Sequence, residues 1–331
     1  MKGFKSVFGG RDVLITGGAG FIGSNLAHEL VGLGASVEVL DNLTPVQGGN
    51  VHNLDGIMDK IRLGIADIRD ADVAAKAVEG KDFIFNMASL TRHVGSVIDP
   101  MSDLDVNCRG SLTLLEACRN HNPSVKVVYA GSRSQYGKIE YNPVDEKHPM
   151  NSADPNGVSK AAAEKYHILF YRMYGIRTTS LRLTNTYGPR QQMKDPDLGF
   201  VNWFIRLAMD GGVIKIFDGG QTKRDLNYVS DVVTALLMAA SDERSNGEAF
   251  NVGSGVPVSI LDLTKMIIKK VGSGSFEMVP YPKERKNIEI GDYFADIGKV
   301  KRMLGWSPAT PIDEGLEKTI DFYRKNKKNY W

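Results

Sequence analysis

Thr16-Gly17-Gly18-Ala19-Gly20-Phe21-Ile22-Gly23 lies between a short apolar run, Val13-Leu14-Ile15, and a helical pattern from about Phe21 to Leu33. Glycines at 17, 20 and 23 between a strand and a helix leave few options for the chain. Gly17 permits the tight turn, Gly20 lets a pyrophosphate approach the backbone, and Gly23 allows close helix–strand packing. The helix then directs unpaired N–H groups, and the positive end of its dipole, at a phosphate over the turn. The next strand, Ser36 to Leu40, ends at Asp41, 24 residues after Gly17. A carboxylate there accepts hydrogen bonds from a ribose 2′-OH and repels a 2′-phosphate, which favours NAD over NADP. Asp67, after the third strand, is placed to meet the adenine edge.

Further short runs at Arg62 to Ala66, Phe83 to Asn86, Val125 to Ala130 and Thr178 to Leu183 continue the series. Helical patterns around Ala71–Val78, Met101–Asn120 and Pro155–Tyr174 separate them. Runs without clean alternation suit strands covered on both faces, and alternating β and α demands a parallel sheet with right-handed crossovers. The expected fold is α/β: a Rossmann-like doubly wound parallel sheet over residues 1–185, with a smaller C-terminal lobe, mainly 186–331, interleaved with it. The length of 331 residues accommodates both.

Lys and Arg total 41 against 39 Asp and Glu, so the net charge of +2 gives no basis for nucleic acid or a membrane surface as the main partner. Cys108 and Cys118 have neither disulfide-framework nor C-x-x-C spacing and read as core thiols of a reducing compartment. No apolar stretch approaches the roughly 18 residues of a membrane span, and Met1 to Gly10 lacks the apolar core of a signal peptide. No metal-ligand cluster stands out, so a cytoplasmic chain without a metal is expected.

Other motifs follow in order: Asp67-Ile68, Asn107, Gly131-Ser132-Arg133-Ser134-Gln135-Tyr136-Gly137, Lys160, Arg182-Leu183-Thr184-Asn185-Thr186-Tyr187-Gly188-Pro189, Arg224-Asp225 with Val229 and Asp231, and Leu304-Gly305-Trp306-Ser307-Pro308. With these, nearly the whole chain resembles the extended short-chain dehydrogenase/reductase family, specifically its nucleotide-sugar epimerases and dehydratases. The resemblance implies that a hydride passes from the sugar, usually from C4, to NAD while a Tyr removes the hydroxyl proton. A Lys four residues later binds the nicotinamide ribose, and a Ser or Thr holds the reacting oxygen. Ser132 and Lys160 match the last two roles. The cofactor would lie against Gly17, Gly20, Phe21, Ile22, Gly23, Asp41, Asn42, Asp67, Ile68, Ala88 and Lys160.

Position 156 departs from the family, with Asn156 standing where it has Tyr. An amide can hold a hydroxyl but has no titratable proton near neutrality and cannot serve as general base. The chain is then an inactive Tyr-to-Asn variant, a binding homologue without catalysis, or an enzyme that takes its proton elsewhere. The otherwise intact site favours the enzyme. His93, in Met87-Ala88-Ser89-Leu90-Thr91-Arg92-His93, is the foremost substitute, since an unperturbed imidazole titrates near about 6.5. Lys160 itself and a water relay through Ser132 are the alternatives.

The family's 4,6-dehydratases carry an Asp-Glu pair after the Ser or Thr, and its decarboxylating members a Glu. Arg133 and Ser134 here leave a departing hydroxyl without an acid. Epimerisation of a nucleotide-diphosphate sugar through a transient keto-sugar is therefore expected ahead of dehydration. The resemblance assigns Asn185 and Arg224 to the diphosphate, and an arginine fork suits phosphate oxygens. Phe200, Val201, Lys215 and Phe217 are expected at the base pocket. Arg285 resembles a second family arginine, although Gly291-Asp292 follows it at a longer spacing than usual. In this family the two long helices, about 101–120 and 155–174, form a homodimer interface.

Overall fold

The computed structural model describes residues 2–44, 47–282 and 289–331. A short helix α1 (Lys2–Phe8) leads into β1 (Asp12–Thr16), α2 (Phe21–Gly32), β2 (Ser36–Asp41), β3 (Ile61–Ile65), α3 (Ala71–Val78) and β4 (Phe83–Asn86). Then come α4 (His93–Ile98), α5 (Pro100–Leu104), α6 (Gly110–His121), β5 (Lys126–Ser132), α7 (Pro155–Tyr174) and β6 (Arg177–Leu183). The later elements are β7 (Asn185–Tyr187), α8 (Phe200–Met209), β8 (Val213–Phe217), β9 (Lys223–Tyr228), α9 (Val229–Ser241), β10 (Glu248–Val252), β11 (Pro257–Ser259), α10 (Ile260–Val271), β12 (Ser275–Val279), α11 (Gly298–Leu304) and α12 (Ile312–Asn326).

Seven strands form one parallel sheet in the order β10-β6-β5-β4-β1-β2-β3. The chain winds outward from β1 through β2 and β3, then returns to β4 and winds the other way. This reversal opens a crevice beyond the carboxyl ends of β1 and β4, where open α/β sheets bind their ligands. Strand β10 comes from the last third of the chain and closes one sheet edge, so the C-terminal segments do interleave with the first sheet.

The apolar strand runs explain the layering. Val13, Ile15, Phe85 and Val128 face α1, α2, α9 and α11 in one core, which Trp306 helps to fill. Leu14, Ile84 and Val127 face α3, α6 and α7 in the other, against Leu114, Leu115 and Phe170. A third core under α8, α10 and α12 gathers Ile205, Ile216, Leu263 and Tyr323. It lies beneath a three-stranded sheet, β11-β9-β7, and the parallel pair β12-β8.

The helix expected over 101–120 is not uniform. Between α5 and α6 the residues Asp105–Arg109 form a wide π-helical turn. Asn107 in that turn accepts from the Leu90 N–H at 2.9 Å and donates to the Leu90 carbonyl at 3.0 Å, so it fixes the loop after β4. That loop also contains α4, which the sequence pattern alone did not distinguish.

Candidate active site

At the crevice the glycine turn has the conformation its spacing demands. Gly17 has φ +67°, and a Cβ there would come 2.8 Å from the Ala88 backbone. A Cβ on Gly23 would sit 2.4 Å from the Gly17 carbonyl oxygen, so the third glycine is a steric requirement of the helix–turn contact. Gly20 caps α2 without a side chain, and the amides of Phe21 and Ile22 precede the first helical hydrogen bonds. Asp41 ends β2 beside this turn, accepting from the Ala19 amide at 3.0 Å and the Leu43 amide at 2.8 Å. Burial raises the Asp41 carboxyl pKa, and those two amides oppose the rise.

This cradle fits a dinucleotide: backbone stripped of side chains at the turn, open amides, and a carboxylate one strand away. Ala88 packs on Gly17, and Ile68 is buried after β3. Asp67 is already engaged, accepting from Arg69 on both oxygens and from Asn42 at 3.0 Å. Those bonds hold its carboxyl well below the usual range.

The loop after β5 is anchored from below. Arg182 and Glu164 form a buried ion pair at 2.6 Å, and Arg182 Nη1 also donates to the Tyr136 hydroxyl at 2.7 Å. Tyr136 in turn donates to Asn251 at 2.6 Å, so this aromatic braces the loop. Above it, Ser132 Oγ accepts from the Ser134 amide at 3.1 Å and the Ser134 hydroxyl at 3.0 Å. Its own proton is left to donate.

Lys160 is buried, with Nζ 3.2 Å from the Ala130 carbonyl and above the Tyr129 ring. Desolvation pushes its ammonium pKa down to about 8, against the pull of Asp103. Asn156, one turn earlier, is tied to the protein by its amide nitrogen. Its amide nitrogen donates to the Leu90 carbonyl at 2.7 Å and to Asp103 Oδ2 at 2.9 Å, and the residue is 2% exposed. Both amide protons are therefore taken by the protein. These two bonds make Asn156 a brace between α7, α5 and the loop after β4.

A cavity of about 560 Å³ adjoins this loop, within the ordinary range for small-molecule sites. His93, Asp154, Arg133, Ser134, Asn185, Phe217, Trp203, Tyr281 and Arg224 are among the residues that line it. His93 Nδ1 lies 2.7 Å from Asp154 Oδ2. Asp154 is buried, and its other oxygen accepts from the Gly157 amide at 2.7 Å as the N-cap of α7. Burial acts to raise the Asp154 pKa, but the hydrogen bond and charge of His93 prevail and hold it low.

Among the other sequence candidates, Phe200, Lys215, Phe217, Asn185 and Arg224 line the cavity. Asn185 accepts from Arg133 Nε at 3.1 Å, and Arg224 is paired with Glu289 at 2.6 Å. Val201, expected at the base pocket, is instead buried in the third core, because one step around α8 turns it from the wall into the helix's packed face. Arg285 lies outside the described residues.

Three comparisons bear on this arrangement. The model of the NAD dependent epimerase/dehydratase family matches residues 13–253. The chain belongs to that family. A UDP-glucose 4-epimerase of Mycolicibacterium smegmatis is 34% identical over 321 residues, covering 95% of this chain and 99% of that one. The structure of an epimerase from Methanothermobacter thermautotrophicus superposes with a TM-score of 0.91 at 28% identity, covering 99% and 96% of the two chains. The UDP-glucose 4-epimerase of Thermus thermophilus, solved with NAD, gives 0.83 at 30% identity over 95% and 99%.

NAD is the cofactor of this epimerase/dehydratase family member. Sequence reasoning missed Asp154, Asp103, Trp203, Tyr281 and Glu289. For Asp154 a signal was present, since Asp154-Pro155 ahead of a helical pattern is an N-cap signature. Its pairing with a histidine 61 positions earlier appears only in the fold.

Proposed function

We propose that this protein epimerises a nucleotide-diphosphate sugar at one ring carbon through a transient keto-sugar, with His93 replacing the absent tyrosine. The observation that carries the reading is the His93–Asp154 pair on the cavity wall, 2.7 Å apart. A carboxylate on Nδ1 fixes the proton there and leaves Nε2 as the acceptor. Nε2 takes the sugar hydroxyl proton as the carbonyl forms and gives it back as the inverted alcohol is restored. Ser132 donates its free proton to the reacting oxygen, and Lys160 binds the nicotinamide ribose. Gly17, Gly20, Gly23 and Asp41 would hold NAD, which when bound would supply the reversible hydride acceptance that inversion at that carbon requires. Asn185 and Arg224 hold the diphosphate beside the aromatic wall. Arg133 and Ser134 offer no acid to a departing hydroxyl, which disfavours dehydration.

The test is incubation with NAD and UDP-, GDP-, CDP- and dTDP-hexoses in D₂O, followed by NMR of the sugar. An epimer without deuterium is expected, and His93→Gln should lower kcat by about 100-fold or more while NAD still binds. Deuterium beside a carbonyl would instead indicate dehydration or exchange at a neighbouring carbon. Tight binding without turnover would make the chain a binding homologue.

The same reading includes a homodimer. Val97, Ile98, Met101 and Leu104 on one side and Val158, Leu169 and Met173 along α7 are exposed apolar side chains at helical spacing. Sedimentation should give twice 36.3 kDa, and Met101→Glu with Met173→Glu should give the monomer. With NAD and a nucleotide sugar as ligands and two free buried thiols, Cys108 and Cys118, its place of work is the cytoplasm.

A further inference from the structure

The charged groups of the cavity are almost all matched. Arg224 is paired with Glu289, His93 with Asp154, and Lys215 lies 3.9 Å from Glu277. Asp197 accepts from the Val94 and Gly95 amides. Arg133 is the exception: among the described residues no carboxylate lies within ion-pair distance of it. Its Nε donates to Asn185 Oδ1 at 3.1 Å, and its guanidinium lies over the Tyr293 ring at 5.5 Å. Neither terminal nitrogen has a protein partner among those residues.

The side chain is thus held at one nitrogen and one face, with a two-pronged donor unclaimed. Burial, together with the like charge of Arg224, pushes its pKa down to about 10. A desolvated cation in that state gains from any anion brought to it. Its position says which anion. Arg133 immediately follows Ser132, which holds the reacting oxygen in the reading above, lines the cavity together with His93 and Asp154, and feels the charge of Asp154. The diphosphate, in the same reading, already has an arginine in Arg224, which lines the cavity with Phe217, Tyr281 and Trp203.

We propose that the substrate's sugar carries a carboxylate, of the uronic-acid kind, and that Arg133 binds it through its two terminal nitrogens. This rests on the nucleotide-sugar reading above. The planar guanidinium matches a carboxylate bidentately, whereas a neutral hydroxymethyl group leaves the cation unpaired. Arg133 is in this view the residue that selects between acidic and neutral sugars.

The experiment uses the NAD-loaded protein and matched acidic and neutral pairs: UDP-glucuronate with UDP-glucose, UDP-galacturonate with UDP-galactose, and GDP-mannuronate with GDP-mannose. Binding is read by calorimetry and turnover by NMR, for the natural chain, Arg133→Gln and Arg133→Lys. Expected is a preference of tenfold or more for the acid in one pair, with the acid-to-neutral ratio falling at least tenfold in Arg133→Gln and less in Arg133→Lys. Equal treatment of both members, or preference for the neutral one, overturns the inference and leaves the nucleotide-sugar reading standing. So does a loss in Arg133→Gln shared equally by UDP and both sugars, which would make Arg133 a diphosphate ligand. Failure of every pair to bind would defeat the underlying reading, and this inference with it.

Discussion

Restoring the family's tyrosine by Asn156→Tyr should harm this protein rather than improve it. Asn156 Nδ2 donates at 2.9 Å to Asp103 Oδ2, and Asp103 is 2% exposed with its other oxygen lacking any partner. Among the described residues this is the one hydrogen bond to that carboxylate. A hydrogen bond to a charged group is worth about 1.5–3 kcal/mol, and leaving the group buried without it exacts the full penalty. The Leu90 carbonyl also loses a donor at 2.7 Å but keeps Asn107 at 3.0 Å, so that loss adds little. The larger ring must also find room where the amide is packed. A destabilisation of about 2–4 kcal/mol follows, which for a chain of this size lowers Tm by roughly 3–6 °C. Thermal unfolding of the NAD-loaded protein measures it, and turnover in the same preparation should stay at or below that of the natural chain. An unchanged Tm with increased turnover would refute both the bracing role of Asn156 and the base assigned to His93.

Gly23→Ala forces a Cβ to within 2.4 Å of the Gly17 carbonyl, so the turn must shift. A stability loss of about 1–3 kcal/mol in denaturant titrations is expected, with NAD affinity down at least tenfold by calorimetry. Lys126, the first residue of β5, is buried among Thr179, Ser245 and Asn246, and desolvation lowers its pKa to about 7. Below that pH the ammonium is charged in both states and its burial penalty is complete. As pH rises from about 7 toward the ordinary lysine value of 10.5, the unfolded chain holds a proton the folded one has lost, so stability rises. Lys126→Met should flatten unfolding free energy between pH 7 and 9, and an unaltered slope would count against this account.

The sequence was most legible where local chemistry leaves no choice. Gly17, Gly20 and Gly23 are required by backbone contacts within a few residues, and Val13 to Ile15 is apolar on both faces because helices cover both. Pro155–Tyr174 was readable end to end, since Asp154 and Pro155 open the helix and Gly175, at φ +72°, closes it. What the sequence did not disclose depends on residues far apart in the chain. Val201 and Phe200 are neighbours, yet only the packing of α8 decides which of them reaches the cavity. Asn156 looked like a damaged catalytic position because its partners, Leu90 and Asp103, are 66 and 53 residues away.

Asp154 gives a way to separate fold from chemistry, since its two oxygens do different things. Oδ1 caps α7 by accepting from Gly157 at 2.7 Å, and Oδ2 holds His93 at 2.7 Å. Serine is an N-cap of similar quality to aspartate, so Asp154→Ser should cost only a few tenths of a kcal/mol in helix stability, roughly within the scatter of surface substitutions. The single hydroxyl cannot cap the helix and fix the imidazole together. His93 then loses the acceptor that sets its tautomer, and no charge remains beside the imidazolium formed during proton transfer. Asp154 is a positioning residue by this argument, so its loss should appear in kcat, on the order of 100-fold, with a smaller change in KM. A merely structural cap would not give a kcat loss selective over KM. Full activity in Asp154→Ser, or a kcat loss matched by a falling Tm, would remove the pair from the mechanism and reopen the search for the proton's acceptor.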